Sequence, residues 1–411
     1  MKRAAPDWLL YFLAFTLMSV GILNLYSIED FPAWSWKYAY VRQFTWAGIS
    51  VLAMVLASLI EGQVWRYFAY TLYGLGVAVM LLTAVTAREI NGARAWLSIG
   101  PLQIQPAEFM KIATALALAA YLTRYDFRWG QWRDRLMVGV LIGVPMALTL
   151  LQSDTGTALT FAAFLVPLYR WGLSIWVILI PVILGGLAFM TLLYPWVYIA
   201  SILTVLLALV YFFILKRRYL SLHIALAVLL WVWLGFSGYL YHEVLAPHQR
   251  QRIEVLLDPY KDPLGSGWNT IQARVALVAG GLTGQGYGKG LQSKLDFIPQ
   301  RHTDFAYCSI AEEWGWLGGV VVISLYLFFL LRIAWVAEST NNRFALLYGY
   351  ALSALLWIHL LINVAMIVGL LPVVGIPLIF ISYGGSSWVA IGWGLGILQS
   401  FYRERWMRLF G

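Results

Sequence analysis

Along the chain, polar residues gather in short clusters separated by continuous apolar runs of roughly 17 to 25 residues. Twelve such runs stand out, near 8–27, 43–61, 67–87, 108–123, 136–152, 157–170, 173–193, 197–215, 222–241, 309–332, 345–367 and 380–400. The sixth is short. Runs of this length cross a bilayer as α-helix, and they lack the strict alternation of a barrel strand. Inside lipid only a helix satisfies every backbone group within its own segment, so the pattern predicts an all-α polytopic transmembrane bundle of about twelve spans. An even count puts both termini on one side. One interval breaks the rhythm: residues 242–308, between the ninth and tenth runs, are long for a mere connection.

Composition sharpens this. Of 411 residues, 61% are hydrophobic and 11% charged, against about 25% charged in soluble proteins, which excludes a soluble enzyme. The net charge of +9, from 28 Lys+Arg against 19 Asp+Glu, reads as cationic cytoplasmic loops facing anionic lipid, with no nucleic-acid partner. The single cysteine, Cys308, permits no intramolecular disulfide and no thiolate metal cluster. The first run follows Lys2 and Arg3 without a small-x-small cleavage site, so it is expected to be a retained span.

With the N-terminus inside, the short inner segments collect Lys2, Arg3, Arg66, Arg124, Arg128, Arg133, Arg135, Arg170, Lys216, Arg217, Arg218, Arg332, Arg343, Arg403, Arg405 and Arg408. The expected location is therefore a bacterial cytoplasmic (inner) membrane, multi-pass, with both termini cytoplasmic and 242–308 a large extracytoplasmic loop. No internal repeat or low-complexity linker is visible, so residues 1–411 read as a single integral membrane domain.

Within the long loop, Trp268, Ile271, Val275 and Val278 recur at helical spacing, with Asn269, Gln272 and Arg274 on other faces. This predicts a short helix lying on or dipping into the outer leaflet. Glycines 280, 281, 284, 286, 288 and 290 then break it. The strip GQGYGKG is not a phosphate loop, because Gly290, not Ser or Thr, follows Lys289 and no strand precedes it. His-Glu-x-x-His, Cys-x-x-Cys and Gly-x-Ser-x-Gly patterns are absent from the sequence. His223 and His359 lie in spans and are better read as interhelical hydrogen-bonding groups than as metal ligands.

Ionisable residues at membrane depth cost at least ~2.5 kcal/mol each and mark sites. Glu108 and Lys111, three apart, share a helix face as an expected ion pair, or else Glu108 caps a helix start. Asp154 sits in the turn QSDTGT and is either functional or a turn residue bonding its own backbone. Glu312 and Glu313 open the tenth span, where one or both could serve the helix dipole. Asp304, beside Arg301, His302 and Thr303, is the carboxylate least explained by local structure. All lie at the outer face.

Separated motifs carry a resemblance that covers nearly the whole chain: GARAW (92–96) with IQPAEFMK (104–111), QSDTGTAL (152–159), QRQRIEVLLDP (249–259), GWNTIQARVALVAGGLTGQG (267–286), DFIPQRHTDF (296–305) with AEEWG (311–315), and NVAMIVGLLPVVGIP with ISYGGSS (363–387). The chain resembles the SEDS family of cell-wall polymerases, nearest its RodA, or elongation, branch, and is related to the FtsW division branch. That resemblance implies a peptidoglycan glycosyltransferase. Such an enzyme joins lipid II disaccharide units, carried on undecaprenyl pyrophosphate, into glycan strands at the outer face during cell elongation. Implied partners are a class B penicillin-binding protein, other elongation-complex membrane proteins and membrane lipids. The family's catalytic aspartate falls on Asp304. Arg94, Trp96, Glu108, Lys111, Asp154, Arg252, Gln272, Arg301, His302 and Glu312 follow as substrate-binding or supporting residues. Asn363, Tyr383, Gly384, Gly385 and Ser386 lie in family motifs, where packing explains them equally well.

The chemistry agrees. An acceptor hydroxyl must lose a proton as it attacks, which an ionised carboxylate can take. The departing pyrophosphate needs electrostatic help, which Lys111, Arg94, Arg252 or Arg274 could supply. A divalent cation (Mg or Mn) on a carboxylate such as Asp304 could also supply it. Family members usually have ten spans, so residues 194–241 read as an extra helix pair. Ser153, Val374 and Ile379 depart from the family pattern in loop geometry only. A division-type polymerase, a lipid II flippase and a scaffold for the transpeptidase remain alternatives. The gathering of charge at the outer face, away from the midplane, speaks against the flippase.

Overall fold

The computed structural model describes residues 4–30, 33–90, 92–99, 102–214, 220–245, 247–263, 266–294, 297 and 300–405. Lys2, Arg3, Lys216, Arg217, Arg218 and Arg408 of the orientation argument lie outside these residues, as does Asp296. Contacts divide the chain into two compact units, one of Met1–Gly172 with Val255–Gly411, the other of Leu173–Glu254.

The larger unit begins with α1 (Trp8–Ile28), α2 (Ala39–Leu59), α3 (Gly62–Tyr67) and α4 (Ala69–Thr86). A small antiparallel hairpin, β1 (Leu97–Ile99) and β2 (Leu102–Ile104), then leads into α5 (Pro106–Leu122) and α6 (Trp132–Leu151). Every residue of α5 except Phe109 is buried. Its run of alanines lets α4, α6, α16 (Arg343–Ile367) and α17 (Gly385–Arg403) approach closely, as small residues do where lipid offers no hydrophobic drive. The apolar run 157–170 is helical throughout, in three pieces. It folds as α7 (Thr155–Thr160), a 3-10 turn (Phe161–Phe164) and α8 (Leu165–Arg170).

The smaller unit holds α9 (Trp176–Leu193), α10 (Trp196–Leu209) and α11 (Leu220–Tyr239), with π-helical extensions at Val210–Ile214 and Leu240–Val244. The segment 194–241 thus carries two helices, grouped with α9. No side chain of α9 is buried, which suits a helix bathed in hydrocarbon. Polar contacts join its neighbours: Thr191 and Ser237 hydroxyls lie 3.0 Å apart, and Trp233 Nε1 donates to Leu184 O at 3.0 Å. In lipid such pairs hold helices together.

The 242–308 segment is more structured than a loop. It includes α12 (Pro247–Leu257), α13 (Ser266–Gly280) and α14 (Leu291–Lys294). The helix expected around Trp268 is present as α13, and its bulky stripe is only partly covered by protein, with Trp268 and Ile271 half-buried. Thr270, Ala273 and Ala276 are buried, while Val275 and Val278 are exposed. The small face packs on α15 (Ala306–Glu338), leaving the bulky face for the surroundings.

α15 is broken at Gly315, whose φ of 68° and ψ of −170° are non-helical. The glycine strip repairs the break. Gln285 N and Gly286 N donate to Glu312 O and Glu313 O at 3.0 and 2.9 Å, and Trp316 N donates to Gly281 O at 2.9 Å. The orphan groups of the interrupted helix are thereby satisfied by another segment. A Cβ on Gly315 would overlap Gly284 N. Tyr287, in the strip, donates to Leu23 O at 2.9 Å; burial pushes its phenol up to about 12, so it remains a donor at neutral pH.

The last helices are α16 (Arg343–Ile367) and α17 (Gly385–Arg403). α17 lies against α2 with Gly396 set directly on Met54 O, and Ser50 Oγ donates to Trp388 O at 2.6 Å. The first and last described segments meet at one end of the bundle: Asp7 N donates to Gln399 Oε1 at 3.0 Å, and Asp7 pairs with Arg332. Nine of the described helices are long and apolar enough to cross a membrane, against twelve expected. Missing are the segmented 155–170 region, the 17-residue α5 and the more polar α17. The first is helical without interruption from Thr155 to Arg170, with αR backbone at each junction, but a 3-10 turn divides it into α-helical pieces of six residues each.

Candidate functional site

At the end of the bundle away from the termini, the chain turns sharply into α15. Gln300 takes φ 57°, and its carbonyl accepts from Thr303 N at 3.0 Å and Phe305 N at 3.4 Å. Asp304 stands on this turn, largely buried. Three elements fix it. Asn363 Nδ2, on α16, donates to Asp304 O at 2.9 Å and to Ile376 O at 2.8 Å. Asn24 Nδ2, on α1, donates to Ala306 O at 3.0 Å. Tyr383 N donates to His302 O at 2.7 Å. Gly375, at φ 78°, lies so close that a Cβ there would sit 3.4 Å from Asp304 Oδ2. The backbone around the carboxylate is thus bound on several sides.

Arg301 and Glu312 are structural neighbours of that turn. The buried Glu312 carboxylate accepts from Gln292 N at 2.8 Å, Ser293 N at 3.0 Å and Ser293 Oγ. It caps α14 from within, and is not the helix-dipole partner at the start of its own helix, because α15 begins at Ala306, two turns earlier. Arg301 Nη1 in turn donates to Ser293 O and to Lys294 O, the latter at 2.9 Å. Glu313 accepts from Ser27 Oγ.

Glu108 and Lys111 form the expected ion pair at 2.9 Å, both buried. Lys111 Nζ also lies 3.1 Å from His359 Nε2, and His359 Nδ1 lies 2.9 Å from Pro377 O. A carbonyl can only accept, so Nδ1 carries the proton and Nε2 accepts from the ammonium. His359 and Asn363, one turn apart on α16, therefore grip the adjacent carbonyls of Pro377 and Ile376 and connect them to Lys111 and to Asp304.

Asp154 is a cap: Oδ1 accepts from Thr157 N at 2.9 Å and Oδ2 from Gln105 Nε2 at 2.6 Å. Gln105 N donates to Ser386 Oγ at 3.0 Å, tying α5 to α17. Arg94 is exposed and lies 3.7 Å from Glu89, while its N donates to Gln152 O at 2.9 Å. Trp96 is half-buried at the start of the hairpin. Gln272 and Arg274 are half-buried on α13. Arg252 is exposed and belongs to the smaller unit.

The structure therefore brings Asp304, His302, Arg301 and Glu312 into one connected turn, and Glu108 and Lys111 into a second cluster joined to it through α16. Lys111 is committed to Glu108 and His359, so it does not supply a free cation. His359 bonds between elements, as its place in a span led one to expect; Asn363 stood out only as a residue of a family motif, and the roles of Gln105 and Gly375 had no signal in the sequence. Among the described residues, no three His, Cys, Asp or Glu side chains converge on a point that could hold a metal. A single carboxylate such as Asp304, completed by substrate phosphates and water, is still one way in which Mg2+ is held.

Fold and site together define a multi-pass α-helical membrane protein with a carboxylate fixed at the mouth of its last helices. The profile of the FtsW/RodA/SpoVE cell cycle proteins matches residues 7–206 and 198–406, and the chain belongs to that family. It is 32% identical to peptidoglycan glycosyltransferase RodA of Treponema pallidum, over 94% of this chain and 95% of that one. Identity to peptidoglycan glycosyltransferase MrdB of Escherichia coli K12 is 31%, covering 98% and 94%. A solved structure describing how a peptidoglycan synthase complex coordinates polymerization and crosslinking superposes with a TM-score of 0.71 at 30% identity, covering 98% of this chain and 99% of that chain.

Proposed function

We propose that this protein is a RodA-type peptidoglycan glycosyltransferase, polymerising lipid II into glycan strands at the outer face of the cytoplasmic membrane during elongation. The observation that carries the reading is Asp304. It is an acidic side chain on a turn secured by Asn363, Asn24 and Tyr383, at the bundle end opposite the termini. With both termini in the cytoplasm, as the cationic inner segments favour, that end faces outward.

In this reading Asp304 accepts the proton of the acceptor hydroxyl as its oxygen attacks the anomeric carbon of the donor. The carbon–oxygen bond to the diphosphate breaks, and the polyprenyl diphosphate departs with the bonding electrons. An α-linked donor attacked from the opposite face yields the β-linkage. The leaving group is already a stabilised anion, so positive charge serves it better than a proton donor does. A divalent cation on Asp304 would add to that charge when bound. Rigid mounting of the turn holds the base in reacting geometry, which is the larger part of what positioning contributes.

A class B penicillin-binding protein is the proposed crosslinking partner, with other elongation-complex membrane proteins around it. The relative in the peptidoglycan synthase complex supports this. The decisive assay is polymerisation of labelled lipid II by the purified protein, alone and with its partner. Wild type is expected to make glycan strands and Asp304→Ala none, with both variants equally folded. Strand synthesis by Asp304→Ala would overturn the assignment, and translocation of lipid II in liposomes without synthesis would favour a flippase.

A further inference from the structure

We infer that a groove beside α13 holds the phosphate-bearing end of a polyprenyl diphosphate, with Arg274 as its anion contact. The inference rests on the polymerase reading and gives its lipid-linked substrate a place. The groove encloses about 370 Å3 between the Pro259–Tyr260 turn and the outward face of α13. Among the described residues its walls are apolar, formed by Pro259, Ile271, Val275 and Val278, with Arg274 the one charged residue lining it.

The guanidinium lies against the turn after α16. A Cβ on Gly369 would overlap Arg274 Nη2, and Gly369 has φ 78°, so the turn after α16 leaves room for the flat guanidinium only because position 369 has no side chain. Among the described residues, no carboxylate pairs with Arg274 and no carbonyl accepts from it. A half-buried cation without a counter-charge is costly until an anion arrives. The ligand must then be anionic at one end and apolar at the other. Phosphate oxygens match the guanidinium fork in paired hydrogen bonds, and a hydrocarbon chain would cover Val275 and Val278, which are otherwise exposed.

Position selects the substrate over bulk phospholipid. The turn from 369 to 375 has Arg274 against its first glycine and the Asp304 carboxylate against its last. Six residues of chain reach at most about 20 Å, so one lipid-linked disaccharide can touch both.

The test uses the whole protein in phosphatidylcholine nanodiscs, titrated with undecaprenyl diphosphate and followed by native mass spectrometry. Arg274→Gln should weaken binding by about tenfold or more, and Arg274→Lys by less. Val278→Trp, which plugs the groove and leaves the guanidinium, should weaken it comparably, and it decides the matter if Arg274→Gln unfolds. Gly48→Ala, with open space around its Cβ position, should bind as wild type does. Undiminished binding by Arg274→Gln and Val278→Trp would overturn the inference. So would displacement of the diphosphate by an equal concentration of phosphatidylglycerol, which would make the groove an ordinary phospholipid site. Polymerisation is scored separately: Arg274-dependent binding without Asp304-dependent synthesis would sink the polymerase reading and leave the groove standing.

Discussion

The side-chain amide of Asn363 donates to the main-chain carbonyl of Asp304 at 2.9 Å, and the same nitrogen donates to Ile376 O at 2.8 Å. One buried group thus joins the turn that carries the candidate base to the segment after α16. Asn363→Leu removes both donors and strands two buried carbonyls, each costing about 1–3 kcal/mol. We expect a lower Tm in detergent and at least a tenfold loss of lipid II polymerisation. Unchanged synthesis would show that Asp304 needs no such mounting.

The Glu108–Lys111 pair is buried on α5 and completed by His359. Removing one partner leaves an uncompensated charge, which costs about 3–5 kcal/mol, whereas removing both is far milder. Glu108→Gln and Lys111→Met should each lower the unfolding temperature more than the double variant does. A thermal double-mutant cycle measures this, and additive losses would argue against a coupled pair.

Glu312 reaches back to cap α14, taking three donors from Gln292 and Ser293. Glu312→Ala should loosen residues 291–304, seen as faster hydrogen exchange there, and slow polymerisation, while Glu312→Gln keeps an acceptor and part of the protection. Exchange confined to other segments would separate Glu312 from the Asp304 turn.

Gly315 and Gly284 meet back to back where the glycine strip closes the break in α15. Gly315→Ala adds a methyl group where backbone already lies, at a φ that alanine avoids, so monodisperse protein should be recovered poorly. Gly48→Ala, with open space around its Cβ position, should behave as wild type. Equal yields from the two would contradict the clasp.

Helix-forming runs were legible because a bilayer demands about 20 apolar residues per crossing, a rule read from composition alone. The run at 157–170 is helical as expected, but its Asp154 cap and internal 3-10 turn act over a few residues and leave hydropathy unchanged. The α13 helix was placed correctly by its spacing, and its bulky stripe was expected at the outer leaflet; what the spacing did not mark was the opposite face, where close approach to α15 required the small residues Ala273, Ala276 and Gly280. Charge chemistry was legible as residue types: Asp304, Glu108, Lys111, Asp154 and Glu312 all stood out as costly near lipid.

By itself the sequence determined the class of fold, the family and the residues whose charge must be explained, because each follows from local composition or from motif order. Only the tertiary structure decided what those charges do. It assigned Glu312 and Asp154 to capping, committed Lys111 to Glu108 and His359, and left Arg274 facing a groove. Those outcomes depend on partners far apart in the chain, such as Asn363 with Asp304 and Gln105 with Ser386. A hydrogen bond between distant residues leaves no periodic signal in sequence; it exists only once helix packing has brought donor and acceptor within 3 Å or so.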